Sequence, residues 1–187
     1  MSRILLMAGM TLVFVSCFPA GKDLYDVNPK FKTTESSVLF FRNTRLAFYN
    51  YSERSEASIE LYHPKEPTGA ADAPGYAWFI AYNRLQGKAM PFHEATESLK
   101  ADPCVGVDWE WKKPDDTTAV VATLPCPGID PENNFQFLVR SYRQLDAGRV
   151  GYLKLKSGRS EPLFAQEENQ RRFVRLVRDY LEMVDLI

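Results

Sequence analysis

Few side chains in this sequence are of the types that usually carry catalysis. Its two histidines, His63 and His93, lie far apart. Neither belongs to an HExxH motif or to a His/Cys cluster, so neither indicates a zinc site. The sequence also lacks a GxSxG nucleophile elbow, a P-loop and a GxGxxG motif, which serve acyl transfer, phosphoryl transfer and dinucleotide binding. We therefore expect no catalytic residues, no metal and no cofactor, and predict that the protein is not an enzyme. Each histidine is interpreted as a surface residue at a strand end.

The string GVDWEW at 106–111 places two carboxylates two residues apart. It resembles the DxDxDWE segment of chitinase-type glycosidases, in which the final glutamate is the acid. Cys104 and Gly106 occupy the positions of the two earlier aspartates in that pattern. Strict alternation explains the string better, because it predicts a strand with one apolar face. In that interpretation Trp109 and Trp111 fill the core, and the two acidic residues face water.

Two cysteines flank a predicted hairpin. The alternating stretch is followed by turn residues at 113–117 and by a β-branched run at 118–124, which predicts a second strand. In a hairpin centred on residue 115, Cys104 would face Cys126, within the reach of a disulfide. The alternative is two unrelated thiols, because a register slip of one residue puts them on opposite faces. No CxxC redox motif is present.

The N-terminus has the pattern of an export signal. One arginine precedes a nearly unbroken apolar run of 12 residues at 4–15. A helix needs about 20 residues to cross the hydrocarbon core of a bilayer, so this run is too short to span it. It fits the apolar region of a secretory signal peptide.

The end of this signal, Phe14-Val15-Ser16-Cys17, resembles the bacterial lipobox. The resemblance implies cleavage before Cys17 and lipidation of that cysteine. The lipobox pattern prefers leucine where Phe14 stands. The Asp that retains many lipoproteins in the inner membrane is replaced by Phe18, which favours the outer membrane. The alternatives are a plain signal peptide with a chance cysteine and a buried N-terminal segment.

These features predict a signal peptide at 1–16, a lipid-anchored tether at 17–36 and a single β-rich domain at 37–187. A formal net charge of −1 argues against a nucleic-acid partner, since phosphate binding depends on surplus Lys and Arg. We expect the membrane to be contacted through the N-terminal lipid, within the bacterial cell envelope. An envelope protein is the second expected partner.

The final segment predicts an amphipathic helix over 166–186, with apolar residues on one stripe. Opposite charges four residues apart favour a self-neutralised solvent face, and an arginine-rich binding surface is the alternative. The predicted pairs are Glu167–Arg171, Glu168–Arg172, Arg175–Asp179 and Arg178–Glu182.

The rest of the domain is interpreted mainly as strands, among them 37–51, 76–83, 135–143 and 150–156. The predicted fold class is α+β, an antiparallel β-sheet or partly closed β-barrel covered by the C-terminal helix.

Aromatic side chains are plentiful on the predicted strands. Trp78, Phe79 and Phe137 would line an interior cup if the sheet encloses a cavity. Two functions remain open at this point. One is a non-enzymatic membrane-anchored lipoprotein that serves as an accessory or interaction subunit. The other is a module that binds a lipid, glycan or other small molecule in the aromatic cup.

Overall fold

The computed structural model describes residues 31–65, 75–112 and 118–187, without the side chains of Glu56 and Lys112. The predicted signal peptide, Cys17, most of the predicted tether and the turn at 113–117 lie outside the described residues. Within them, four α-helices, two short 3-10 helices and eight strands form. The α-helices are α1 (Glu35–Thr44), α2 (Glu97–Ala101), α3 (Pro131–Asp146) and α4 (Glu167–Met183). The strands are β1 (Tyr49–Arg54), β2 (Ile59–Pro64), β3 (Tyr76–Asn83), β4 (Lys88–Ala95), β5 (Cys104–Lys112), β6 (Thr118–Leu124), β7 (Val150–Leu155) and β8 (Ser160–Pro162).

The strands form two antiparallel sheets. The first sheet has the order β1-β2-β3-β4 and the second has the order β6-β5-β7-β8. Every pairing between neighbouring strands is antiparallel. The predicted α+β class and the antiparallel pairing are confirmed, but the strands are divided between two open sheets rather than closed into a barrel.

The helices α3 and α4 supply much of the core. The helix α3 packs against β4 of the first sheet, β7 of the second sheet and α4. Nine of its side chains are buried, on more than one side of the helix. It therefore joins the two sheets. The helix α4 packs on β3 and β4 and also contacts α1.

The predicted C-terminal helix is confirmed, but two of its four predicted ion pairs are replaced by contacts with α1. Its apolar stripe is buried from Phe173 to Val184. Glu167–Arg171 and Glu168–Arg172 form ion pairs at 2.7 and 3.5 Å. The other two predicted pairs do not form among the described residues. Arg45, at the end of α1, instead contacts the carboxylates of Asp179 and Glu182, at 3.1 and 3.2 Å.

One predicted strand is a helix, and another is helical over most of its length, with only residues 49–51 in β1. Residues 37–51 begin inside α1, where Thr34 and Ser37 form a reciprocal capping box. Such a cap satisfies amide groups that a helix start leaves unpaired. Residues 135–143 lie inside α3, which begins with an Asp130 cap followed by Pro131. Proline at the first helical position needs no amide donor and favours the helix.

The last residues of the predicted tether pack on the domain. The amide of Ala89 donates to the carbonyl of Phe31, and the amide of Thr33 donates to the carbonyl of Gly87, both at 2.9 Å. Lys32 forms an antiparallel bridge to Lys88. This segment therefore lies along the edge of β4 and leads directly into α1.

The cysteine hairpin forms as predicted, with one irregularity. Trp111 pairs with Ala119 in the predicted register, and a shift next to Trp109 moves the rest of the pairing by one residue. Cys104 and Cys126 are joined by a disulfide, with their Cα atoms 6.1 Å apart. Trp109 is fully buried, but Trp111 is 45% exposed. Its predicted core position is therefore wrong, because Trp111 lies beyond the last pairing of β5 with β7, which is between Glu110 and Val150.

Candidate functional site

The three aromatic residues predicted for a ligand cup do not converge. Trp78 lies in the core, with its ring stacked on that of Phe137 at 5.6 Å between centroids and 11° between planes. It also contacts the edge of Phe173 at 6.1 Å. Phe79 follows Trp78 on the same strand and therefore points to the opposite face. The structure thus brings together Trp78 and Phe137 by direct packing and places Phe79 elsewhere.

Phe79 belongs to an apolar patch on the outer face of the first sheet. Strand register puts Phe79 opposite Phe92, and Ala81 between Leu61 and Met90. The ring of Phe79 stacks on Phe92 at 6.0 Å and on the imidazole of a neighbouring histidine at 4.6 Å. The helices pack on the other face of this sheet, through residues such as Trp78. We call this set the outer face: Leu61, His63, Phe79, Ala81, Met90 and Phe92.

The two histidines lie on opposite faces of the first sheet. His63 is half-buried in the outer face. His93 is half-buried on the inner face, where its Nε2 atom lies 2.9 Å from the carbonyl oxygen of Gly128. Its Nδ1 atom is buried without a hydrogen-bond partner among the described residues. Burial lowers the pKa of His93, and the hydrogen bond to Gly128 opposes that shift. His93 therefore differs from the exposed strand-end residue that the sequence predicted.

A buried glutamate lies under α1. Glu60 is 2% exposed and receives hydrogen bonds from Arg42 at 2.5 and 2.7 Å. Tyr62 donates its hydroxyl to the same carboxylate, and Arg84 lies 3.6 Å away. The hydrogen bond to Glu60 raises the pKa of Arg42, and burial raises the pKa of Tyr62. The carboxylate is surrounded by its own partners, which favours a structural role over a role in catalysis.

A second buried acid joins three elements. Asp179 of α4 accepts a hydrogen bond from the hydroxyl of Tyr49 at 2.8 Å. Arg45 lies 3.1 Å from the other carboxylate oxygen. Burial raises the pKa of Asp179, while the hydrogen bond from Tyr49 and the charge of Arg45 lower it. This cluster fixes the ring of Tyr49 against α4.

Beside that ring lies a cleft of about 300 Å³. One side of the cleft is formed by the start of β1 and the end of β2, and the other side by α4. The guanidinium of Arg175 lies over the ring of Phe48, 4.4 Å from its centroid. Three cations and one carboxylate line the cleft, so its local net charge is 3 − 1 = +2. The lining residues are Ala47, Phe48, Tyr49, Pro64, Lys65, Glu168, Arg172 and Arg175.

The sequence did not predict this cleft, although an arginine-rich binding surface on α4 was the alternative to a self-neutralised solvent face. Two of the four expected ion pairs form, so the solvent face of the helix is only partly self-neutralised. The helix carries four arginines and four acidic residues, so its sequence shows no surplus of positive charge. The surplus arises only in the fold, where Asp179 is buried against Arg45 and Tyr49. Phe48 and Lys65 reach the cleft only through the tertiary fold, and nothing in their local sequence marks them.

Within the described ranges, no group of three His, Cys, Asp or Glu side chains is arranged to hold a metal ion. No helix in the same part of the chain has the length and apolar character needed to cross a membrane. Comparisons of the chain with protein-family models, curated proteins and solved structures found no match.

Proposed function

We propose that this protein is a bacterial envelope lipoprotein, anchored through Cys17, that serves without catalysis as an accessory or interaction subunit. The signal-like N-terminus supports the anchor, and replacement of the retention Asp by Phe18 favours the outer membrane. The disulfide between Cys104 and Cys126 supports export, because disulfides persist in oxidising compartments and are rare in the cytosol.

The outer face of the first sheet is the observation that carries the interaction role. Leu61, Phe79, Met90 and Phe92 lie side by side there and are all partly exposed. Contiguous apolar surface of this kind often marks a site of protein association. A protein partner that covers the face would remove these side chains from water, which is the main driving force of association.

The proposal is tested by affinity purification of the tagged full-length protein from membranes in a mild detergent, with bound species identified by mass spectrometry. Cys17→Ala removes the lipidation site, and Phe79→Glu places a charge in the outer face. Val120→Glu is the matched control, because Val120 is an exposed valine on the second sheet. Its substitution adds the same charge away from the proposed surface.

We expect a stoichiometric protein partner with the native chain and with Val120→Glu, and its loss with Phe79→Glu. Cys17→Ala should leave the membrane fraction and lose the same partner. A partner retained by Phe79→Glu would contradict the role of the outer face. A co-purifying lipid or sugar in place of any protein would contradict the subunit role and favour the ligand-binding module.

A further inference from the structure

The side chains that line the cleft beside Phe48 carry a net positive charge, which the nearby carboxylate of Asp179 offsets in part through its interaction with Arg175. The sequence pairs Arg175 with Asp179, one turn further along α4. In the structure, Arg45 and Tyr49 occupy the carboxylate of Asp179. Arg175 is left exposed and its guanidinium lies over the ring of Phe48, a cation–π contact between two residues that line the cleft.

The other two cations of the cleft are also weakly paired. Lys65 is exposed at the end of β2, and no carboxylate among the described residues lies within 4 Å of its ammonium group. Arg172 has a single contact of 3.5 Å with Glu168, although its side chain is only 16% exposed. The whole chain carries a formal charge of −1, so the charge of +2 is a local feature of this cleft.

One wall of the cleft is apolar. Ala47, Phe48 and Pro64 line it together with the ring of Tyr49. Tyr49 is held in place because its hydroxyl donates to Asp179. A volume of about 300 Å³ lies at the lower end of the range for small-molecule sites. Its occupant would therefore combine an anionic group with a small apolar part.

We propose that this cleft binds a phosphate monoester, with the phosphate between Lys65, Arg172 and Arg175 and the organic group against Phe48. A phosphate monoester carries about −1.5 to −2 charges at neutral pH, which matches the net charge of the cleft. The planar guanidinium groups donate pairs of hydrogen bonds that suit phosphate oxygens. The site is independent of the proposed protein partner, because it lies on α4 and not on the outer face.

The test uses the full chain in a neutral detergent at low ionic strength, titrated with phenyl phosphate in a calorimeter. Lys65→Gln and Arg175→Gln each remove one positive charge from the cleft. Arg171→Gln is the control on the same helix, and Lys156→Gln is the control in the turn after β7, because both residues are exposed outside the cleft. Circular dichroism checks that each variant is folded.

We expect each cleft variant to raise the dissociation constant about tenfold, since the loss of one hydrogen bond to a charged group weakens binding by about a factor of ten. The controls should stay within about twofold. Inorganic phosphate and phenol should each bind more weakly than phenyl phosphate, because each supplies only half of the contacts. Added salt should weaken binding, as it does for exposed charges.

Dihexanoyl phosphatidic acid distinguishes the two sources of such a group. If it competes with phenyl phosphate in the native chain and not in Arg175→Gln, the ligand class is a lipid phosphate. If it does not compete, the ligand class is a soluble phosphate ester. The proposal is overturned if phenyl phosphate shows no binding at millimolar concentration, or if it binds equally to the native chain and both cleft variants.

Discussion

The hydroxyl of Tyr49 donates a hydrogen bond of 2.8 Å to Asp179, across 130 residues of sequence. The bond joins β1 to α4 inside a core that is otherwise mostly apolar. Arg45 adds a contact of 3.1 Å to the same carboxylate and one of 3.2 Å to Glu182. Because Tyr49 begins β1, Arg45 ends α1 and Asp179 lies on α4, this cluster fixes how the last helix lies against the first sheet.

Replacing Asp179 should therefore destabilise the fold. Asp179→Ala leaves the buried hydroxyl of Tyr49 without an acceptor, and an unsatisfied buried polar group costs about 1–3 kcal/mol. Asp179→Asn keeps an acceptor oxygen, so its loss of stability should be smaller. Urea unfolding measures both variants. Glu167→Ala, in an exposed ion pair of the same helix, is the control and should change stability by less than about 0.5 kcal/mol. Equal losses in all three variants would contradict the role of the buried cluster.

The stability of the protein should rise with pH across the region just below pH 6.5, because of His93. Burial holds the pKa of His93 below its ordinary value of 6.5. The unfolded chain therefore binds more protons in this window, so acid favours unfolding. The stabilisation is fully present above pH 6.5 and is lost as the pH falls towards the lower pKa of the folded state.

His93→Gln should flatten this dependence, measured as the free energy of unfolding between pH 5 and 7.5. His63→Gln is the matched control, since it makes the same substitution on the outer face of the same sheet. Asp179 titrates in the opposite sense, because burial raises its pKa, but that contribution is shared by the native chain and both variants. A native slope in His93→Gln would show that another group is responsible.

The disulfide between Cys104 and Cys126 should stabilise the protein by about 3 kcal/mol in the chain-entropy model, since it closes a loop with a sequence separation of 22. Urea unfolding with and without reductant measures this effect. The double variant Cys104→Ala/Cys126→Ala should be insensitive to reductant, and Cys17→Ala should keep the native sensitivity. If reductant does not change the unfolding midpoint of the native chain, the prediction fails.

A methyl group at Gly151 should be costly. A Cβ atom there would lie 3.1 Å from two ring carbons of Trp109 and 3.2 Å from a methyl of Leu163. Because both neighbours are buried, we expect Gly151→Ala to lose about 1–3 kcal/mol through overpacking. Gly128→Ala is the control, since a Cβ at Gly128 meets nothing within 4 Å. A thermal melt in which both variants match the native chain would contradict this packing.

Local patterns predicted the elements whose packing is one-sided. The helix α4 has a single buried stripe, and the strand predicted at 76–83 is β3 with the same bounds. The disulfide was also predicted, although the register shift beside Trp109 could not be. In each of these cases the pattern of apolar residues is produced by one neighbouring layer, so it can be read from the sequence alone.

The helices α1 and α3 were predicted as strands, for different physical reasons. The helix α3 packs against both sheets and α4, so its buried residues cover a wide face of the helix. Within that face Phe135, Phe137 and Val139 alternate as they would in a strand. The helix α1 is short and rich in aromatic and β-branched residues, and its helical signal lies in the cap formed by Thr34 and Ser37. The cleft could not be predicted, because Phe48, Lys65 and Arg175 are brought together only by tertiary packing.

The contact between α1 and α4 also constrains when the molecule can finish folding. The hydroxyl of Ser37 donates to the carbonyl of Met183 at 2.7 Å, across 146 residues. Synthesis delivers a chain from its N-terminus, so the hairpins of both sheets are complete while α1 still lacks the helix against which it packs. Phe41 can already pack on Tyr49 and Tyr62 of the first sheet, but the side of α1 that faces α4 stays uncovered until the last turns of α4 have emerged. A chaperone that recognises nascent apolar segments would therefore find its longest-lived target near Ser37 and Val38, and a chain truncated before residue 173 should remain a substrate for proteolysis.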